Sequence, residues 1–169
     1  GDSMANTHVK IATTTVGSGG ASSISFTSIP QTYTDLKLHI SSQTTSNNYI
    51  KLNINSDTGT SYSYRVIRGT GSAIGSFNQV DWTNTAYVFG YSDSGWSGHT
   101  VWIPSYFKTD RAKSILSESV QEANAATAYP WLGAGLWNSL SAITTIVVAS
   151  QTLNFAQNTV ATLYGIKNS

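Results

Sequence analysis

Alternation of apolar and polar positions at a period of two runs through most of the chain, and β-branched or aromatic residues carry it. Ser23 to Thr27 sets Ile24 and Phe26 on one side. After Pro30, Asp35 to Ser41 points Leu36, Leu38 and Ile40 one way and Lys37 and His39 the other. Tyr49 to Asn55 opposes Ile50, Leu52 and Ile54 to Lys51, Asn53 and Asn55, and Ser56-Asp57-Thr58-Gly59 supplies turn chemistry behind it. Further strands are expected over Tyr62 to Arg68, Ala86 to Tyr91, Thr100 to Phe107, Ala112 to Val120, Leu132 to Trp137 and Thr159 to Lys167. Ile143 to Ala149 is a nearly continuous apolar run, which predicts a central strand covered on both faces. Pro104 predicts an edge strand or a bulge.

Between these runs, Gly69 to Gly75 and Ser92-Asp93-Ser94-Gly95 read as loops, and Thr13 to Ser23 as a loop or a weak first strand. Gln121 to Ala128 has alanines enough for a turn of helix, but Pro130 follows closely, so turn or extended chain is expected. The sum is an all-β domain of about ten short strands, a two-sheet antiparallel sandwich of jelly-roll type, with a closed barrel as the competing topology. Gly1-Asp2-Ser3 ahead of Met4 reads as a cloning remnant, which leaves residues 4–169 as one domain with no internal repeat or linker.

Composition narrows the chemistry. Charged residues are 10% of the chain, against a usual quarter, and Ser, Thr and Asn make up about a third. The nine Lys and Arg are scattered, so no basic stripe awaits a run of phosphates and nucleic acid is not an expected partner. The absence of cysteine removes disulfides and thiolate chemistry. With no apolar run of 18 residues and no basic-then-apolar leader, neither membrane insertion nor Sec export is expected.

Catalytic and cofactor motifs are weak throughout, and no cofactor is expected. The glycines of Gly69 to Gly75 have the wrong spacing for a dinucleotide loop and precede no amphipathic helix. His8, His39 and His99 have no ligand partners at i+2 or i+4. Asn53, Asn55 and Asp57 ahead of Gly59 resemble half of a calcium loop without its closing Glu, so Asx-turn geometry is the simpler reading of these three metal candidates. Eight carboxylates offer few pairs for glycoside cleavage.

Aromatic residues are the most informative feature, crowding the stretch from Trp82 to Phe107 and recurring at Tyr129, Trp131 and Trp137. Most are needed for the core. Trp82, Trp96 and Trp131 stand in Gly- and Ser-rich surroundings and are candidates for an exposed patch, either a protein interface or a sugar-stacking platform.

Several segments together resemble a family of tailed-bacteriophage virion proteins found among capsid decoration, head-fibre and tail-associated genes. The stretches are Ser22-Ser23-Ile24-Ser25-Phe26 with Ser28 to Leu36, and Leu52-Asn53-Ile54-Asn55-Ser56-Asp57-Thr58-Gly59 with Tyr62, where relatives carry an Asn-Gly-Asp-Thr-Gly turn. Ile143 to Ser150, Leu153-Asn154-Phe155-Ala156 and Ala161 to Ile166 complete the likeness, which spans roughly residues 9 to 167. The resemblance implies a β-sandwich in the virion, assembled in the bacterial host cytoplasm, with no catalytic residues to carry over. It also implies a homo-oligomer, a trimer being favoured, that docks on the major capsid protein or other virion proteins. Asp57 and Gly59 are expected to cap a hairpin turn. The competing function is a carbohydrate-binding or host-adhesion module that uses the loop tryptophans on surface glycans.

Overall fold

The computed structural model describes residues 7–82, 90–121 and 128–167. Among them lie twelve strands and no helix: β1 (His8–Thr15), β2 (Ser23–Phe26), β3 (Asp35–Ser42), β4 (Asn48–Ile54), β5 (Tyr62–Gly69), β6 (Ile74–Trp82), β7 (Tyr91–Ser92), β8 (Ser97–Pro104), β9 (Lys113–Gln121), β10 (Trp131–Trp137), β11 (Ile146–Ser150) and β12 (Val160–Ile166). No helix of the described residues is long and apolar enough to cross a membrane. Two antiparallel sheets form a sandwich. The larger has the order β1-β12-β3-β8-β9-β10-β5-β6 and the smaller β2-β11-β4-β7. The pairs β4–β7 and β2–β11 of the small sheet nest inside β3–β8 and β1–β12 of the large one, which is the winding of a jelly roll.

Alternation explains which sides meet. Leu36, Leu38 and Ile40 from β3, Val101 and Ile103 from β8, Ile115 from β9 and Leu163 from β12 face inward from the large sheet. Ile24, Ile50, Leu52, Ile54, Ile146 and Val148 face them from the small sheet, all buried. Each such side chain contributes about 1.5–3 kcal/mol by leaving water. The Ser- and Thr-rich composition reaches this interior too. Ser42, Ser92 and His99 form a buried chain in which Ser42 Oγ donates to Ser92 Oγ (2.9 Å) and His99 Nε2 lies 2.9 Å from Ser42 Oγ. Gln121 donates to Asn47 Oδ1 and Asp93 Oδ2 at 2.8 Å each.

Four expectations are corrected. First, there are twelve strands, because β1 and β6 were not foreseen as strands. β6 carries Ile74, Phe77 and Val80 at three-residue spacing, and its register against β5 shifts between Tyr62 and Tyr64, so a bulge breaks its alternation. Second, Pro104 lies in a central strand. The β8–β9 pairing ends at Trp102, so no partner on that side asks for the missing N–H. Third, β11 is central but only Ile146, Val148 and Ser150 are buried, while Val147 and Ala149 are half-buried. Fourth, residues 55–61 join β4 in one sheet to β5 in the other, so Asp57 and Gly59 cap a crossover and not a hairpin. The strand expected from Ala86 and the turn expected from Gln121 to Ala128 fall largely outside the described residues, with only Tyr91 of the former inside β7.

That crossover fastens the two sheets. Asn55 and Ser56 take left-handed backbone angles (φ 52° and 54°), and Asp57 N donates to Ile54 O at 2.9 Å. Asp57 then accepts from Gly59 N (2.8 Å) and from Trp137 Nε1 of β10 (2.7 Å). Beside it, the buried Tyr62 hydroxyl of β5 accepts from Ile54 N at 2.9 Å and lies 3.2 Å from Ile54 O.

Candidate functional site

The small sheet packs on one face of the large sheet, and among the described residues the opposite face is open. Strand register fixes which side chains share that open face. One row runs across the strands from Arg65 (β5) through Ala134 (β10) and Leu116 (β9) to Trp102 (β8), then through Lys37 (β3) and Tyr164 (β12) to Lys10 (β1). The neighbouring row places Ile67 beside Leu132, Leu132 beside Glu118, Glu118 beside Thr100, Thr100 beside His39 and His39 beside Thr162.

This face is hollow. A depression of about 360 Å³ lies between Arg65, Ile67, Asn78, Leu116 and Leu132. A second, of about 320 Å³, is lined from His8 on β1 through Lys37 and Trp102 to Leu132 on β10. Those two strands stand five places apart in the sheet order, so the depression runs across the strands.

The face divides into two halves of different chemistry. Over β9, β10, β5 and β6 it carries an apolar patch set among Arg65 and Glu118: Leu116 and Leu132 are 47% and 51% exposed, and Ile67, Ile74 and Val120 stand open with them. Over β8, β3, β12 and β1 it is aromatic and polar. Trp102 is 40% exposed, and its Nε1 donates to Asp35 Oδ2 at 3.2 Å. Asp35 is held in turn by Ser105 N at 3.0 Å, from a residue with a left-handed φ of 52°. Tyr164 is wedged edge-on between His8 and His39, with ring centroids 6.5 Å and 5.8 Å apart. Burial, then the neighbouring charges of Lys37 and His8, lower the pKa of His39.

The tryptophans singled out in the sequence do not come together. Trp131 is a correction: it opens β10 at 3% exposure, packed edge-on against Phe77 (5.0 Å), Tyr91 (6.1 Å) and Tyr49 (6.2 Å), so it belongs to the core. Its alternation with the exposed Leu132 and Ala134 turns it inward. Trp96 is exposed (48%) in the turn before β8. Trp82 ends β6 opposite Tyr62 and so is not in a loop; its side chain lies outside the described residues. Composition does not single out Trp102 among the clustered aromatics, but Val101 and Ile103 on either side of it mark the inward face and assign it to the other.

Asn53, Asn55 and Asp57 direct their groups into the protein. Asn53 Nδ2 donates to Asp57 O (2.8 Å), and Asn55 donates to Ala142 O (2.7 Å) while its Oδ1 accepts from Thr144 N (2.9 Å) and Thr145 N (3.0 Å). Burial works against the ionised form of Asp57, but the hydrogen bonds from Trp137, Gly59 and Ser61 outweigh it and lower its pKa. The Asn53 amide nitrogen, Asn55 Oδ1 and the Asp57 carboxylate fasten the turn, and the bond from Gly59 N to Asp57 Oδ1 closes it in Asx geometry. Among the described residues no three His, Cys, Asp or Glu side chains gather as a metal site. The buried Lys113 amine donates to the carbonyls of Arg111 (2.7 Å) and Ser139 (3.2 Å), a structural engagement.

Compared with protein-family models, with curated proteins and with solved structures, the chain has no significant match.

Proposed function

We propose that the protein is a non-enzymatic structural module of a tailed-phage particle that works by docking the open face of its large sheet on copies of itself and on neighbouring virion proteins. The phage setting rests on the resemblance of residues 9 to 167 to that family. The docking role rests on one observation, the exposed apolar patch of Ile67, Leu116 and Leu132 on three adjacent strands.

Size argues for how it docks. Four strands at ~4.8 Å spacing and about seven residues of ~3.4 Å rise make a surface on the order of 450 Å². A stable pair buries roughly 800 Å² on each partner. One contact through this half of the face is therefore weak, and useful affinity comes from repetition in a symmetric oligomer or on a lattice.

Sedimentation velocity across a wide concentration range tests the reading, together with cosedimentation on tailed-phage heads. Wild-type protein is expected to associate with rising concentration and to enrich on heads. A Leu116→Lys/Leu132→Asp variant is expected to do neither while keeping its melting temperature. A chain that stays monomeric and ignores virions overturns the proposal.

A further inference from the structure

The aromatic half of the open face has a different use from the apolar half. We infer that it binds an extended acidic polysaccharide, with sugar rings laid against Trp102 and Tyr164 and carboxylates paired to Lys37 and Lys10.

Both rings are held in place before any ligand arrives. Trp102 keeps 40% of its surface open while Asp35 fixes its Nε1, and His8 and His39 brace Tyr164 edge-on. They stand in one register row with Lys37 between them and Lys10 beyond. Two strand spacings, about 10 Å, separate the aromatic positions, and the same distance separates the two lysines. A row of hydrogen-bonding groups lies alongside: Glu118, Thr100, His39 and Thr162, with Thr100 Oγ1 3.3 Å from His39 Nδ1 and Thr162 Oγ1 3.0 Å from Thr13 Oγ1. Ring faces that stack and amphiphilic edges that take hydroxyls are what a pyranose chain presents. The depression running from His8 to Leu132 gives such a chain a bed across the strands.

Charge density selects the kind of chain. Lys10, Lys37 and Arg65 are the cations of the row, and Arg65 stands four strand spacings, about 19 Å, from Lys37. A nucleic acid strand carries a charge about every 3.4 Å along a duplex, far denser than these lysines can match. A neutral glycan would leave Lys37, half-buried between two rings, without a counter-charge. A polymer with separated carboxylates on otherwise uncharged rings fits both features.

Tryptophan fluorescence and calorimetry with polygalacturonate oligosaccharides, neutral cello-oligosaccharides and an oligothymidylate test this on the intact chain. Polygalacturonate is expected to bind, to weaken with added salt, and to lose about tenfold or more with either Trp102→Ala or Lys37→Glu. Trp96→Ala should leave binding unchanged, and so should Ile67→Asp, at a position of the apolar patch outside that depression, which separates this inference from the docking role of the apolar half. Both affected positions lie on the open face, and unchanged melting temperatures confirm that the variants fold. Equal binding of the neutral oligosaccharide, tighter binding of the oligothymidylate, silence toward polygalacturonate, or binding indifferent to Trp102 and Lys37 each overturns it.

Discussion

Acid should loosen this fold well before its carboxylates titrate, because His99 is buried in the neutral state. The imidazole is 3% exposed, and burial pushes its pKa from 6.5 down to about 4. The unfolded chain takes up a proton near pH 6.5 that the folded chain refuses until about pH 4, so this contribution is intact above pH 6.5 and is lost as the pH falls toward 4. Linkage between those two values gives a loss of about 2 kcal/mol at pH 5 and about 3 kcal/mol at pH 4, relative to pH 7.5. Against a typical stability of about 5–15 kcal/mol that is a large fraction. Urea unfolding at half-unit steps from pH 7.5 to 4 measures it. His99→Gln keeps an amide donor for Ser42 but cannot titrate, so the same series on this variant should lose most of the slope between pH 6.5 and 4. His39 acts in the same direction from a more exposed site and is common to both proteins. Asp57 adds its own loss at lower pH, as its depressed folded pKa is passed. A wild-type stability that is flat from pH 7.5 to 5, or a slope unchanged in His99→Gln, would refute the reasoning.

Other substitutions probe the architecture and the open face. Tyr62→Phe removes the hydroxyl that Ile54 N–H donates to, and leaving that buried group without its partner should cost about 1–3 kcal/mol by urea unfolding. Gly165→Ala sets a methyl group against the Tyr33 ring, and the overpacking should cost about 1–3 kcal/mol, visible as a lower melting temperature. Trp131→Ala should cost about 3–5 kcal/mol, as a core aromatic does, whereas Trp96→Ala should change stability by less than about 0.5 kcal/mol in the same assay.

The sequence was legible where burial is one-sided. In β3, β4 and β9 each inward residue alternates with an exposed or half-buried one, and the pattern marks both the strand and its face. It failed at the two edges of the large sheet. β6 has one neighbour and a bulge, so its apolar residues fall out of step, and β1 carries a register break between Lys10 and Ala12 that interrupts the pattern in the same way. The candidate site was misread for a related reason. Composition around a tryptophan says how much Gly and Ser lies nearby, but exposure depends on which side of a strand the ring occupies. Trp131 shares its side with Gly133, which is buried, and Trp102 shares its side with Thr100, which is not. The hollow of the open face was not legible at all, since its lining comes from strands up to five places apart in the sheet order, and strand order is not a local property of the sequence.

Hydroxyl-radical footprinting of assembled against monomeric protein, read by mass spectrometry residue by residue, bears most directly on the claim that the open face of the large sheet is the working surface. Oxidation of Leu116, Leu132 and Ile67 should fall on assembly, while Trp96 and Leu140, exposed in connecting segments, should react as before. Protection confined to those connecting segments, with the three sheet positions still reactive, would contradict the account.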